Sequence, residues 1–144
     1  LTTLRLDENE IKYSIEKGDQ IYPLQVEDKY GDHGITALII ASKLQEADKA
    51  HLSTFLMSCR ILGRDIEYEF LKWCLTDMHY QGIKEVTASF IKTKKNNQVN
   101  DLYEKAGFEL VQEQRDEKNY KIDLKKWLDK NIIKEKYIKI KEVL

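Results

Sequence analysis

Leu56-Met57-Ser58-Cys59-Arg60-Ile61-Leu62-Gly63-Arg64-Asp65, running straight into Ile66-Glu67-Tyr68-Glu69-Phe70-Leu71, is the stretch that decides the fold. It reads as strand, glycine turn, helix. Ile66, Phe70, Leu71, Cys74, Leu75 and Met78 fall on one stripe at 3.6-residue spacing, so a helix is predicted over Arg64 to Tyr80, ended by Gln81-Gly82. A turn at a helix N-terminus leaves backbone N–H groups unpaired. With the positive end of the helix dipole, those donors make an anion site. Gly63 lets the backbone approach a phosphate, and Arg60 and Arg64 add charge and donors. A pyrophosphate is the natural guest. The same residues also suit a plain strand-to-helix turn with one helpful glycine, and R-x-x-G alone does not choose between the two.

Upstream, Asp7 with Glu10 three residues later has the form of a capping box, opening a short helix that Gly18 closes. Gln20 to Asp28 reads as a strand, with Pro23 pointing to an edge or a bulge. Tyr30-Gly31-Asp32-His33-Gly34 reads as a turn, Ile35 to Leu44 as a strand buried on both faces, and Ala50 to Cys59 as a third strand. The short connections make these three an antiparallel meander. Downstream, a strand is expected over Glu85 to Ile91 and a second helix over Asn97 to Ala106, closed by Gly107. Phe108 to Gln114 and Tyr120 to Leu124 form a last antiparallel pair, joined by the polar turn Arg115-Asp116-Glu117-Lys118-Asn119. Trp127 and Leu128 offer local packing, and Tyr137 to Val143 a short strand. Strand and helix signals that alternate in this way favour an α/β or α+β architecture.

The composition bounds the function. With 144 residues, 42% hydrophobic and 34% charged, the chain has the length and make-up of one globular domain. A net charge of −1 argues against nucleic acid as a partner. No apolar run approaches the roughly 18 residues of a membrane span. Cys59 and Cys74 suit a reducing, cytoplasmic setting, and with His33, His51 and His79 they form no zinc pattern, so no metal is expected.

A second motif stands about thirty residues beyond the glycine turn: Asn96-Asn97-Gln98-Val99-Asn100-Asp101-Leu102-Tyr103-Glu104-Lys105-Ala106-Gly107-Phe108. The two motifs together resemble the Gcn5-related N-acetyltransferase (GNAT) superfamily. Arg60 and Gly63 match its pyrophosphate loop, Q/R-x-x-G-x-G/A, while Asp65 departs from it. Asn96, Leu102, Tyr103, Gly107 and Phe108 match N-x-x-A-x-x-L-Y-x-x-x-G-F, with Val99 in place of Ala. Tyr30 to Gly34, Phe55 to Arg64 and Lys95 to Phe108 look most like the C-terminal GNAT-like domain of FkbH-like proteins, the run Ser58-Cys59-Arg60 being the most specific part.

The resemblance implies a GNAT-like domain over residues 1–124, a central, mostly antiparallel mixed sheet flanked by helices, whose first strand and helix lie before Leu1. Residues 125–144 would be a Lys-rich extension. It implies acetyl-CoA or CoA, or the phosphopantetheine arm of an acyl-carrier protein, as cofactor. It implies acyltransferase activity on a carrier protein or small-molecule acceptor, and, within FkbH-like proteins, loading of a glyceryl unit for methoxymalonyl biosynthesis beside an upstream HAD domain. The alternative is a non-catalytic module that binds CoA or docks a carrier protein while a HAD domain does the chemistry.

In that family the arm lies in a splay between two parallel strands, here Phe55–Ser58 and Val86–Ser89. Leu56 and Ser58 would pair with its amides, and Arg60, Ile61, Leu62, Gly63, Arg64 and Asp65 would hold its phosphates. Tyr103 is the candidate general acid, a phenol able to protonate a departing thiolate; a tyrosine on a core-facing helix is also commonly just packed. Asn96 either contacts the cofactor or caps the helix. Cys59 is either a nucleophile activated by Arg60 and the helix terminus or an inert thiol. For a base, the strand before the loop offers only His51, Ser53 and Thr54; Ser53 stands where a carboxylate is expected, and Asp32 and His33 suit a turn for conformational reasons.

Overall fold

The computed structural model describes residues 7–94 and 96–130. Asp7 caps the first helix, α1 (Glu8–Glu16): its side chain accepts from Glu10 N–H at 2.9 Å while the Glu10 carboxylate accepts from Asp7 N–H at 2.8 Å. α1 buries none of its residues, so the box carries much of its order. Asp7→Ala is expected to cost α1 about 1 kcal/mol, seen as faster amide exchange at Ile11 to Ile15 with the core amides unchanged.

A six-stranded mixed sheet follows. β1 (Gln20–Asp28), β2 (Gly31–Lys43) and β3 (Lys49–Met57) form the expected antiparallel meander. After the long helix α2 (Ile66–Tyr80), β4 (Glu85–Ile91) pairs with β3 in parallel. A 3₁₀ turn (Asn97–Val99) and a short helix α3 (Leu102–Ala106) lead to the hairpin β5 (Glu109–Gln114) and β6 (Glu117–Asp123), then α4 (Leu124–Lys130). The strand order is β1-β2-β3-β4-β6-β5, with β3–β4 the single parallel pair among the described strands. Pro23 sits on edge strand β1, and the register slips just beyond it, between Leu24 and Gln25. β2 is buried on both faces, as Ile39, Ile40 and Ala41 show in succession.

α2 covers the meander. Phe70 stacks on Phe55 of β3 at 6.2 Å, Trp73 meets Tyr22 of β1 edge-on at 5.9 Å, and Asp77 accepts from the Tyr22 hydroxyl at 2.8 Å. The stripe Phe70, Leu71, Cys74, Leu75 and Met78 is buried, as its spacing predicts. Burial pushes the Cys74 thiol up, which leaves it a core residue without reactivity. Trp127 of α4 is buried and donates to the Ala106 carbonyl at 2.9 Å, so α4 seals the end of α3.

Four local expectations need correction. The chain turns at Lys29-Tyr30, and Gly31 to Gly34 already belong to β2, because Asp28 pairs with Gly31 and its carboxylate accepts from Tyr30 N–H. The long helix starts at Ile66 instead of Arg64, since Asp65 takes a left-handed conformation, φ +63°. The second helix breaks at Asn100-Asp101, two poor helix formers, into a 3₁₀ turn and α3. The last hairpin turns on Arg115-Asp116 alone, with Arg115 at φ +50° and Gln114 opposite Glu117. The strand expected over Tyr137 to Val143 lies outside the described residues.

Candidate functional site

The parallel ladder between β3 and β4 is short. It runs from Lys49 opposite Glu85 to Leu52 opposite Ala88, and stops. Beyond it β3 carries on to Met57 and β4 to Ile91 without pairing to each other. The cause lies in β3. Ser53 is an extra residue opposite the step from Ile40 to Ala41, a bulge whose hydroxyl donates to the Ile40 carbonyl at 3.2 Å. A bulge bends its strand and increases its twist, which carries the C-terminal half of β3 off β4. The expected gap is present, and on the β4 side it opens at Ser89, later than the expected Val86–Ser89 segment.

Which backbone groups face this gap follows from alternation along the strand. Ser58 N–H donates to the Thr36 carbonyl at 2.7 Å, so it points to β2. Its carbonyl is taken by Ile61 N–H at 3.1 Å. Leu56, two residues back and opposite Leu38, points to β2 as well. The groups aimed into the gap belong to Phe55 and Met57, one residue out of step with the expectation of Leu56 and Ser58. The sequence places β3 correctly; only the observed register settles which edge each residue presents.

The gap ends at the glycine turn. Ile61 is buried in the core at 1% exposure, and Leu62 packs against it, which anchors the turn. Gly63 sits at φ +82°, where glycine carries no Cβ penalty. Asp65 is the N-cap residue of α2 yet makes no side-chain cap bond. Among the described residues, the N–H groups of Leu62, Arg64, Asp65, Ile66, Glu67 and Tyr68 make no hydrogen bond. This is a row of free donors at the positive end of a 15-residue helix. One donor is occupied: Gly63 N–H bonds the Glu67 carboxylate at 3.3 Å. Arg60 and Arg64 are exposed, and Arg64 reaches Asp28 at 3.5 Å, an exposed contact of small energetic weight. The one signal of Glu67 in the sequence is its four-residue spacing from Gly63.

Tyr103 of α3 is 2% exposed. Its ring lies edge-on to Phe108 at 5.1 Å and tilted on Tyr120 at 5.4 Å. Tyr120 is opposite Ala88, the last β4 residue paired with β3, so Tyr103 stands at the level where the two strands part. Its hydroxyl makes no hydrogen bond among the described residues, and burial, with Tyr120 adding, pushes the phenol above its usual value. Asn96 is buried, and its amide is used inside the chain: Oδ1 accepts from Thr93 N–H at 2.7 Å and Nδ2 donates to the Ile91 carbonyl at 2.7 Å. It staples the loop after β4 and makes no cap bond to the 3₁₀ turn.

The candidate bases separate. His51 lies on β3 in the paired part of the ladder, its Nδ1 2.8 Å from the Thr87 hydroxyl, and burial lowers its pKa, so the ring is neutral at pH 7. Asp32 is tied to Gln25 at 2.6 Å and His33 faces Asp28 at 3.1 Å, both in the β1–β2 hairpin. Cys59 is exposed and free. No group of three or more His, Cys, Asp or Glu able to hold a metal occurs among the described residues.

The fold has counterparts in solved structures. The chain superposes on a GNAT-family acetyltransferase from Desulfovibrio desulfuricans with a TM-score of 0.64 at 13% identity, covering 81% of this chain and 76% of that one. The fold is the GNAT fold. A spermidine N-acetyltransferase chimera from Vibrio cholerae superposes with a TM-score of 0.64 at 15% identity, over 84% of this chain and 76% of that one. The PaiA N-acetyltransferase of Thermoplasma acidophilum, solved in complex with coenzyme A, does so with a TM-score of 0.59 at 20% identity, over 80% of this chain and 67% of that one. No protein-family model and no curated protein matches the chain. Among the described residues, no helix is long and apolar enough to cross a membrane.

Proposed function

We propose that this GNAT-fold chain binds an acyl-CoA, or the phosphopantetheine arm of an acyl-carrier protein, and acts as an acyltransferase. The observation that carries the reading is the parting of β3 from β4 beyond Leu52 and Ala88, ending at free N–H donors on the N-terminus of α2. Unpaired backbone edges at Phe55 and Met57 suit the amides of an extended arm, and the donors of Leu62 and Arg64 to Tyr68 suit phosphate oxygens. Arg60 and Arg64 stand near enough in the chain to add charge. Coenzyme A has been solved bound to one of the structural neighbours, which supports the same ligand class here.

When bound, an acyl thioester supplies an activated acyl group. The chain's own part would be to hold the arm extended along β3 and to deliver a proton from Tyr103 to the departing sulfur as the acyl group passes to the acceptor, the proton that the acceptor loses restoring the phenol. Among acceptors, the resemblance to FkbH-like proteins favours a carrier protein and a glyceryl unit over a small amine. On that reading the domain works in the cytoplasm beside an upstream HAD domain. Its N-terminal portion, up to about residue 124, would be the GNAT unit, and the Lys-rich extension would meet the acidic carrier.

A second reading, a non-catalytic module that binds CoA or a carrier protein, is favoured by one observation: β3 has no carboxylate, and Ser53 bonds back to Ile40. Calorimetry with CoA and acetyl-CoA tests what both share. Saturable heat is expected; none at about 5 mM ligand, where even about 3 kcal/mol of binding would register, rules out both. Turnover of acetyl-CoA then separates them.

A further inference from the structure

We propose that Glu67 is an internal anion seated in the chain's own anion cradle, and that a diphosphate-bearing ligand binds only by displacing it. This rests on the coenzyme reading above and adds a competitor built into the same site. Glu67 is the second residue of α2, and a helical side chain leans over the turn N-terminal to its own Cα. Its Oε1 accepts from Gly63 N–H at 3.3 Å, and the residue is 4% exposed. Its Oε2 is buried without a hydrogen-bond partner. No Lys, Arg or His pairs with it among the described residues.

A first-turn glutamate is ordinarily a solvated surface residue that favours the helix dipole. Glu67 differs because it is buried and half-satisfied, an arrangement that costs free energy unless the charge is compensated. Two features hold it in place: the N-terminus of α2 and the Gly63 N–H. Both are what a phosphate oxygen would use. Asp65, in its left-handed conformation, makes no cap bond, and the Glu67 carboxylate, two residues further on, takes the Gly63 N–H just outside the helix. The second cation of the turn is engaged from within too, as Arg64 reaches Asp28, which also faces His33. One donor of the cradle is therefore occupied from within, and an entering diphosphate meets a buried carboxylate beside the free donors of Leu62 and Arg64 to Tyr68.

Calorimetric titration of wild type, Glu67→Gln and Glu67→Ala with CoA and with pantetheine, which lacks phosphate, tests this. Gln keeps the length and an oxygen for Gly63 and removes the charge; Ala removes the side chain and stands in if the first variant melts early. CoA is expected to bind both variants about tenfold or more tightly than wild type, the scale of one hydrogen bond involving a charged group, while pantetheine binds all three proteins alike or none. Binding of CoA by the variants alone also supports the plug. CoA binding equal to or weaker than wild type in both variants overturns the plug and leaves the coenzyme reading standing. A gain for pantetheine as large as that for CoA overturns it too, since charge would not be the cause. Absence of CoA binding by all three proteins overturns the coenzyme reading itself, and the plug with it.

Discussion

Gly107→Ala is expected to lower stability by about 3 kcal/mol, with the melting temperature falling by roughly 10 °C for a domain of this size. Two independent causes add. Gly107 closes α3 at φ +106°, a conformation that L side chains rarely adopt, and a Cβ there costs about 1–2 kcal/mol before any contact is considered. That Cβ would also stand 2.9 Å from Cδ1 and 3.2 Å from Nε1 of Trp127. The indole cannot retreat freely, because it is buried and its Nε1 donates to the Ala106 carbonyl. Moving it strands that carbonyl and loosens α4. Combining Gly107→Ala with Trp127→Leu separates the causes: the backbone cost persists in the double variant and the contact cost vanishes. An unchanged melting temperature in Gly107→Ala would overturn both causes, and a fall that Trp127→Leu does not reduce would mean that the indole is not seated over the glycine.

Gly107 also shows what a sequence can and cannot display. The glycine is visible as a helix stop, and the pattern ending Gly107-Phe108 marks its place in the fold. The reason it tolerates no side chain stands twenty residues away in Trp127, and nothing in local spacing points there. The same division runs through the site. Period-2 and period-3.6 patterns locate β3, α2 and β4, because burial of one face imposes them. The bulge at Ser53, which opens the gap, depends on how β2 and β3 pair, so the same strand pattern put Leu56 and Ser58 at an edge that belongs to Phe55 and Met57. Asn96 was recognisable as a special residue and its alternatives were capping or a ligand; the structure gives its amide to the loop after β4. Short turns are set by single residues that no local pattern displays: the Asp28 carboxylate tightens the first hairpin to Lys29-Tyr30, and Arg115 takes a left-handed conformation in the last. An acid in the first turn of a helix is commonplace, so the sequence does not mark Glu67, and only its burial makes it unusual.

Tyr103→Phe is expected to reduce kcat of acyl transfer by about a hundredfold or more, the usual scale for a positioned proton donor, with KM and melting temperature little changed. Stability should hold because the hydroxyl makes no hydrogen bond among the described residues, while the ring contacts with Phe108 and Tyr120 survive in phenylalanine. A loss in kcat alone is the signature of an interaction made in the transition state and absent from the bound ground state. The pH dependence gives a second handle. Burial raises the Tyr103 phenol above its usual value, so the acid keeps its proton through neutral pH and past the ordinary tyrosine range. Wild-type kcat should therefore show no descending limb from this group up to about pH 10. An early descending limb would assign the acid to some other group. Turnover of Tyr103→Phe equal to wild type would remove Tyr103 from the chemistry and leave it a packed ring. Should wild type bind CoA and turn over no acyl donor with any amine or carrier acceptor, the binding-module reading gains, and the absence of a β3 carboxylate becomes its structural reason. Both outcomes are read at one group, an unpartnered phenol kept neutral by burial at the level where β3 and β4 separate.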